Sequence, residues 1–95
     1  MGQLLYGSPP SIFDIPDRDL THVEIVVLAK LRRNEPFAMS VELEEGGRAS
    51  LWISVNSDLQ FIFGPGSHPI NREWLEQLID SANTTSGMRI TPETT

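Results

Sequence analysis

The stretch FAMSVELEEGGRASLWISVNSDLQFIF, residues 37–63, decides how the rest of the chain folds. Phe37, Met39, Val41 and Leu43 alternate with Ala38, Ser40, Glu42 and Glu44. Ala49, Leu51, Ile53 and Val55 alternate with Arg48, Ser50, Trp52 and Ser54. A period of two marks strands buried on one side. Residues opposite each other in an antiparallel pair share a face, so parity tests each turn. A two-residue Gly46-Gly47 turn would oppose Leu43 to Ser50 and mix the faces. A three-residue loop, Glu45-Gly46-Gly47, opposes Leu43 to Ala49 and Val41 to Leu51. It puts Gly47 at the left-handed position and Glu44 across from Arg48. Asn56-Ser57-Asp58 as a second such loop opposes Val55 to Leu59, Ile53 to Phe61 and Leu51 to Phe63. Both loops give the same apolar face, which predicts a three-stranded antiparallel meander.

Upstream, Pro16-Asp17 opens a helix over 17–33, with Asp17 as N-cap, Asp19 in the first turn and Lys30, Arg32 and Arg33 in the last. Leu20, Val23, Val27 and Leu31 form its core stripe, flanked by Val26 and Leu28, while His22 falls on the polar side. Ile25 and Ala29 interrupt that side. Before this helix, residues 3–6 and 11–15 read as a hairpin around Gly7-Ser8-Pro9-Pro10. Downstream, Asn71 caps a second helix, with Ile70 and Leu75 as a hydrophobic staple. Trp74, Leu75, Leu78, Ile79 and Ala82 line its inner face, and Gly87 stops it. Residues 88–90 add a short last strand. The expected fold is α+β in the order ββ-α-βββ-α-β: an antiparallel sheet, made of the N-terminal hairpin and the meander, with two helices on one face. Residues 1–90 form one domain and 91–95 a flexible tail.

The 95 residues carry a net charge of −6, which disfavours non-specific binding to phosphate backbones. The chain has no cysteine, so disulfides and thiolate metal sites are excluded. Its start lacks the basic and long apolar segments of a signal peptide, and its longest apolar run is Ile25–Ala29. A cytoplasmic protein is expected.

The meander's register makes Trp52 and Ile62 cross-strand neighbours on the face away from the helices, beside small Ala38 and Ser40. With Ile25 on the first helix, these residues are the candidate interface, most simply with a second copy of the chain. Coverage of Trp52 by the N-terminal hairpin is the alternative. Arg18, Lys30, Arg32 and Arg33 form the one candidate nucleic-acid patch, although basic residues at a helix end already have a local explanation.

Catalytic patterns are missing. Asp14-x-x-Asp17-x-Asp19-x-x-His22 offers metal-ligand residue types, but a cap and a helix start account for two of its acids. Residues 64–69, Gly-Pro-Gly-Ser-His-Pro, precede a helix, yet both prolines remove donors a phosphate would need. Glu44 and Glu45 sit at an exposed hairpin tip, and no serine lies in a G-x-S-x-G elbow. No catalytic, metal or cofactor site is assigned, and His68 reads as a surface residue. The α-βββ-α order is topologically similar to double-stranded-RNA-binding domains, without their basic groove-facing residues.

Several motifs together carry a family resemblance. They are Leu5-Tyr6-Gly7-Ser8, Asp17-Arg18 with Leu20 and His22, Lys30-Leu31-Arg32-Arg33-x-Glu35-x-Phe37, Leu59-Gln60-Phe61-x-Phe63, Asn71-Arg72-x-Trp74 and Asp80-Ser81-Ala82-Asn83. The chain resembles a family of short actinobacterial proteins of unknown function, some of them labelled ATP-dependent DNA ligase. The resemblance implies no established activity. Ligases of that kind resemble one another in a K-x-D-G nucleophile motif. The single lysine here, Lys30, is followed by Leu31-Arg32-Arg33. Three functions compete: a non-catalytic interaction or self-association module, a nucleic-acid accessory factor, and a small-ligand binder or hydrolase using Asp14, Asp17, Asp19, His22 or His68.

Overall fold

A computed structural model describes residues 2–93. The elements are β1 (Gly2–Tyr6), β2 (Ser11–Ile15), α1 (Asp17–Arg32), β3 (Phe37–Glu42), β4 (Arg48–Ile53), β5 (Leu59–Ile62), α2 (Arg72–Ala82) and β6 (Met88–Arg89). The order ββ-α-βββ-α-β and the α+β class match the reading of the sequence.

The sheet itself differs. There are two three-stranded sheets, β2-β1-β5 and β4-β3-β6, in place of one sheet with a meander. β5 leaves β4 and pairs antiparallel with β1, with Leu4 opposite Phe61 and Tyr6 opposite Leu59. The turn at 54–57 accounts for the parting. Ser57 donates its N–H to the Ser54 carbonyl, accepts from the Ser54 N–H at its hydroxyl oxygen, and donates that hydroxyl to the Trp52 carbonyl. These bonds end β4 at Ile53. Val55 and Phe63, expected in the core, are 57% and 38% exposed. The last strand, to which the sequence assigns no partner, runs parallel to β3.

The β3–β4 pair keeps the expected faces but shifts by two residues. Met39 opposes Leu51, Val41 opposes Ala49, and Glu42, not Glu44, opposes Arg48. The loop spans 43–47. It is closed by Leu43 N–H to Gly47 O and Gly46 N–H to Leu43 O, and Gly46, not Gly47, takes the positive φ of 97°. A shift of two preserves parity, because the side-chain period is two.

The core joins Leu4 and Ile15 of the hairpin, Leu20, Val23, Val26 and Val27 of α1, and Met39, Ile53, Trp74, Leu78 and Met88. Leu28, expected to flank this stripe, is exposed, as is Ile70 of the expected staple. Pro16, not Asp17, caps α1, its carbonyl accepting from the Leu20 N–H. Asp17 lies inside the first turn, where its carboxylate accepts from the Gly64 N–H at 3.1 Å and ties the β5–α2 loop to α1. Asn71 caps α2 as expected, its side-chain oxygen accepting from the Trp74 N–H at 3.1 Å. Gly87 has φ +85° and lies so close to β3 that a Cβ there would sit 2.5 Å from the Ala38 carbonyl oxygen.

Candidate functional site

His22 is the largest departure from the sequence reading. The helical pattern puts it on the polar side of α1, but it is fully buried. The ring stacks on Trp74 with centroids 4.5 Å apart, tilted by 36°. Its Nδ1 lies 2.8 Å from the Arg18 carbonyl, and its Nε2 lies 2.9 Å from the Asn71 backbone nitrogen. An amide N–H can only donate, so Nε2 accepts and Nδ1 carries the proton. Both ring nitrogens are thereby satisfied, and the imidazole joins α1 to the start of α2.

Around this ring the last described residues close a clasp. Arg18 donates to both carboxylate oxygens of Glu93, from Nε at 2.7 Å and from Nη2 at 2.5 Å, and also to the Pro69 carbonyl. The Asn71 amide donates to Glu93 at 2.8 Å, and the Trp74 indole donates to the Thr91 carbonyl at 2.9 Å. Residues 91–93, expected to fray, therefore make hydrogen bonds to both helices; 94 and 95 lie outside the described residues. The bonds from Arg18 and then from Asn71 hold the Glu93 carboxyl well below its ordinary 4.5, at about 2. The pairing with Glu93 correspondingly raises Arg18.

The outer face of β4-β3-β6 is different. Register places Trp52 beside Ala38, Ser40 between Ser50 and Arg89, and Arg48 beside Glu42 on that face. Their alternates Met39, Val41, Leu51, Ile53 and Met88 fill the core on the other face. Trp52 is 58% exposed. Its carbonyl accepts from the Tyr6 hydroxyl at 2.7 Å, which links the two sheets. Arg48 donates to the Ser40 hydroxyl at 3.0 Å.

Of the candidate interface residues, Trp52, Ala38 and Ser40 share this face. Ile62 does not: it pairs with Gln3 on the outer side of the other sheet, because β5 left β4. Ile25 is half-buried on α1. The candidate basic patch is partly committed. Arg18 is bound to Glu93, and Lys30 donates to Asn83 at 2.7 Å while lying 3.5 Å from Glu35 and 5.9 Å above the Phe37 ring. Arg32 and Arg33 are exposed. The acidic segment is dispersed: Asp17 faces Gly64 and His22 is buried, while Asp14 and Asp19 line one cleft. Among the described residues no group of three or more His, Asp or Glu side chains is placed to hold a metal ion, and no helix is long and apolar enough to cross a membrane.

That cleft, about 420 Å³, opens where β2 meets α1 and where β3, β4 and β6 end. Asp14, Asp19 and Glu42 line it together with Ser40, Arg48 and Arg89, over apolar Ile15, Val41 and Ile90. Burial raises the Asp19 carboxyl above the usual carboxylate range, and the nearby Glu93 charge adds to the rise. Sequence reasoning missed Arg89 and the partnership of Asn71 with His22. The four-residue step from His22 to buried Val26 was the available sign that His22 shares the inner side of α1.

Residues 1–93 match the family described as a domain of unknown function, DUF7882. The chain belongs to that family. No curated protein and no solved structure matches the chain.

Proposed function

We propose that this DUF7882 domain is a cytoplasmic, non-catalytic interaction module that self-associates through the outer face of β4-β3-β6. The observation that carries the reading is Trp52, a large indole 58% exposed on a sheet face that no helix covers. An exposed tryptophan among small residues is the usual chemistry of a contact centre. Small Ala38, Ser40 and Ser50 flank Trp52 on this face, so a second copy can approach the indole closely across a two-fold axis. Three short strands offer less than the ~800 Å² per partner of a standard interface, so the association is weak.

Sedimentation equilibrium across a concentration series tests this. The mass should rise towards twice the chain mass at high concentration, and Trp52→Ala should remove the rise. A wild-type chain that stays monomeric throughout would refute self-association.

A nucleic-acid role draws on Arg32 and Arg33 alone, since Arg18 and Lys30 already have partners. An actinobacterial origin and the ligase label rest on resemblance alone. Lys30 bonds to Asn83 and lacks the K-x-D-G context, which argues against adenylate chemistry.

A further inference from the structure

We infer that the cleft between the α1 start and the β3-β4-β6 edge binds a small zwitterion the size of an amino acid or dipeptide, its anionic group on Arg48 and Arg89 and its ammonium on Asp14 and Asp19. Arg48, Arg89, Asp14 and Asp19 share this cavity without forming an ion pair among the described residues. Arg89 uses its backbone N–H on Ser81, while its guanidinium has no hydrogen-bond or ion-pair partner among the described residues. Arg48 spends one N–H on the neutral Ser40 hydroxyl and forms no ion pair with Glu42, its partner across the ladder. On the opposite wall, Asp14 accepts one long 3.5 Å contact, from Gln3, among the described residues. Asp19 is partly desolvated, and its neighbour Arg18 is committed to Glu93. The two cations lie on β4 and β6 and two of the carboxylates, Asp14 and Asp19, on β2 and α1; the third, Glu42, lies across the ladder from Arg48 without pairing with it and leaves that wall net positive.

A ligand with one charge would satisfy one wall and be repelled by the other. A ligand with both satisfies each with a charge-assisted hydrogen bond. The volume of about 420 Å³ sits at the small end of ligand sites and excludes a large cofactor. Ile15, Val41 and Ile90 supply an apolar floor for the ligand's carbon skeleton.

Three probes of nearly equal size separate the alternatives in an amide NMR titration of the whole chain. Glycylglycine carries both charges, its N-acetyl form only the anion, and its C-terminal amide only the cation. Glycylglycine should shift the amides of Asp19, Ser40 and Arg89 with half-saturation on the order of millimolar, as its few heavy atoms allow. The two singly charged forms should bind at least about tenfold more weakly. Arg89→Gln and Asp19→Asn, each checked for an unchanged spectrum elsewhere, should each weaken the zwitterion by about tenfold. Three outcomes would overturn the inference: no cleft shifts at about 50 mM glycylglycine, equal binding of all three probes, or glycylglycine binding that is unchanged in Asp19→Asn.

Discussion

The chain has two tryptophans, and they sit in opposite kinds of surroundings. Trp74 is 1% exposed, stacks on His22 and donates its indole N–H to Thr91. Trp52 is 58% exposed, and only its backbone carbonyl is bonded, to Tyr6 and Ser57. Around Trp74 each polar group has a partner. On the sheet that carries Trp52, the Arg89 guanidinium has no hydrogen-bond or ion-pair partner among the described residues, and across the cleft Asp19 forms no ion pair with them. Buried polar groups are costly unless paired, so the first region reads as architecture. The second keeps its uncommitted groups at the surface, where a partner or ligand can reach them.

The sharpest way to break this contrast is to truncate both rings. Trp74→Ala should cost about 4 kcal/mol of stability in urea unfolding. A cost below about 1 kcal/mol would show that the Trp74 region does not hold the fold. His22→Ala removes the stacking partner and leaves the Asn71 N–H without an acceptor, for a loss of about 3 kcal/mol in the same measurement. Gly87→Ala, forced against the Ala38 carbonyl at positive φ, should cost about 2 kcal/mol by thermal unfolding.

Glu93 gives the pH test. Its folded carboxyl is depressed to about 2 from an ordinary 4.5. The ionised form therefore stabilises the fold above pH 4.5, and that contribution is lost as the pH falls through 4.5 towards 2. Glu93→Gln should flatten the stability-versus-pH curve in this window. A variant with the wild-type acid dependence would remove Glu93 as its source. The smallest effect belongs to Trp52→Ala, within about 0.5 kcal/mol of wild type in unfolding. A larger loss would make Trp52 structural and erase the distinction between the two regions.

Much of the fold was legible because it is local. The alternation in 37–43 and 49–53 fixed which side chains face inward, and parity survived a shift of two residues. Asn71 announced its helix through its own side-chain chemistry. What could not be read was any pairing set by distant chain. β5 has the alternation needed to continue a meander beside β4, and it also matches β1. The serine bonds at 54–57 decide between them, and no periodicity encodes those bonds. His22 was misplaced for a related reason. A histidine beside an apolar stripe faces inward only where something accepts from Nδ1 and donates to Nε2, and the donor, Asn71, lies 49 positions away. At the candidate site, parity put Trp52 outward with Ala38 and Ser40. Arg89 joined them through a parallel strand that the sequence marks by only a few residues.

The clasp between Arg18 and Glu93 joins residues 75 apart along the chain, whereas the two β-hairpins join near neighbours. The clasp holds only the last described residues, and its ion pair is partly open to solvent, with 32% and 20% of the two side chains exposed. It is therefore the first part expected to unzip in native-state fluctuations. Hydrogen exchange should show the Trp74 indole and the Asn71 amide trading their protons well before the β3–β4 amides do. Because residues 89–92 form one wall of the cleft, such partial openings would admit and release whatever occupies it without unfolding the domain.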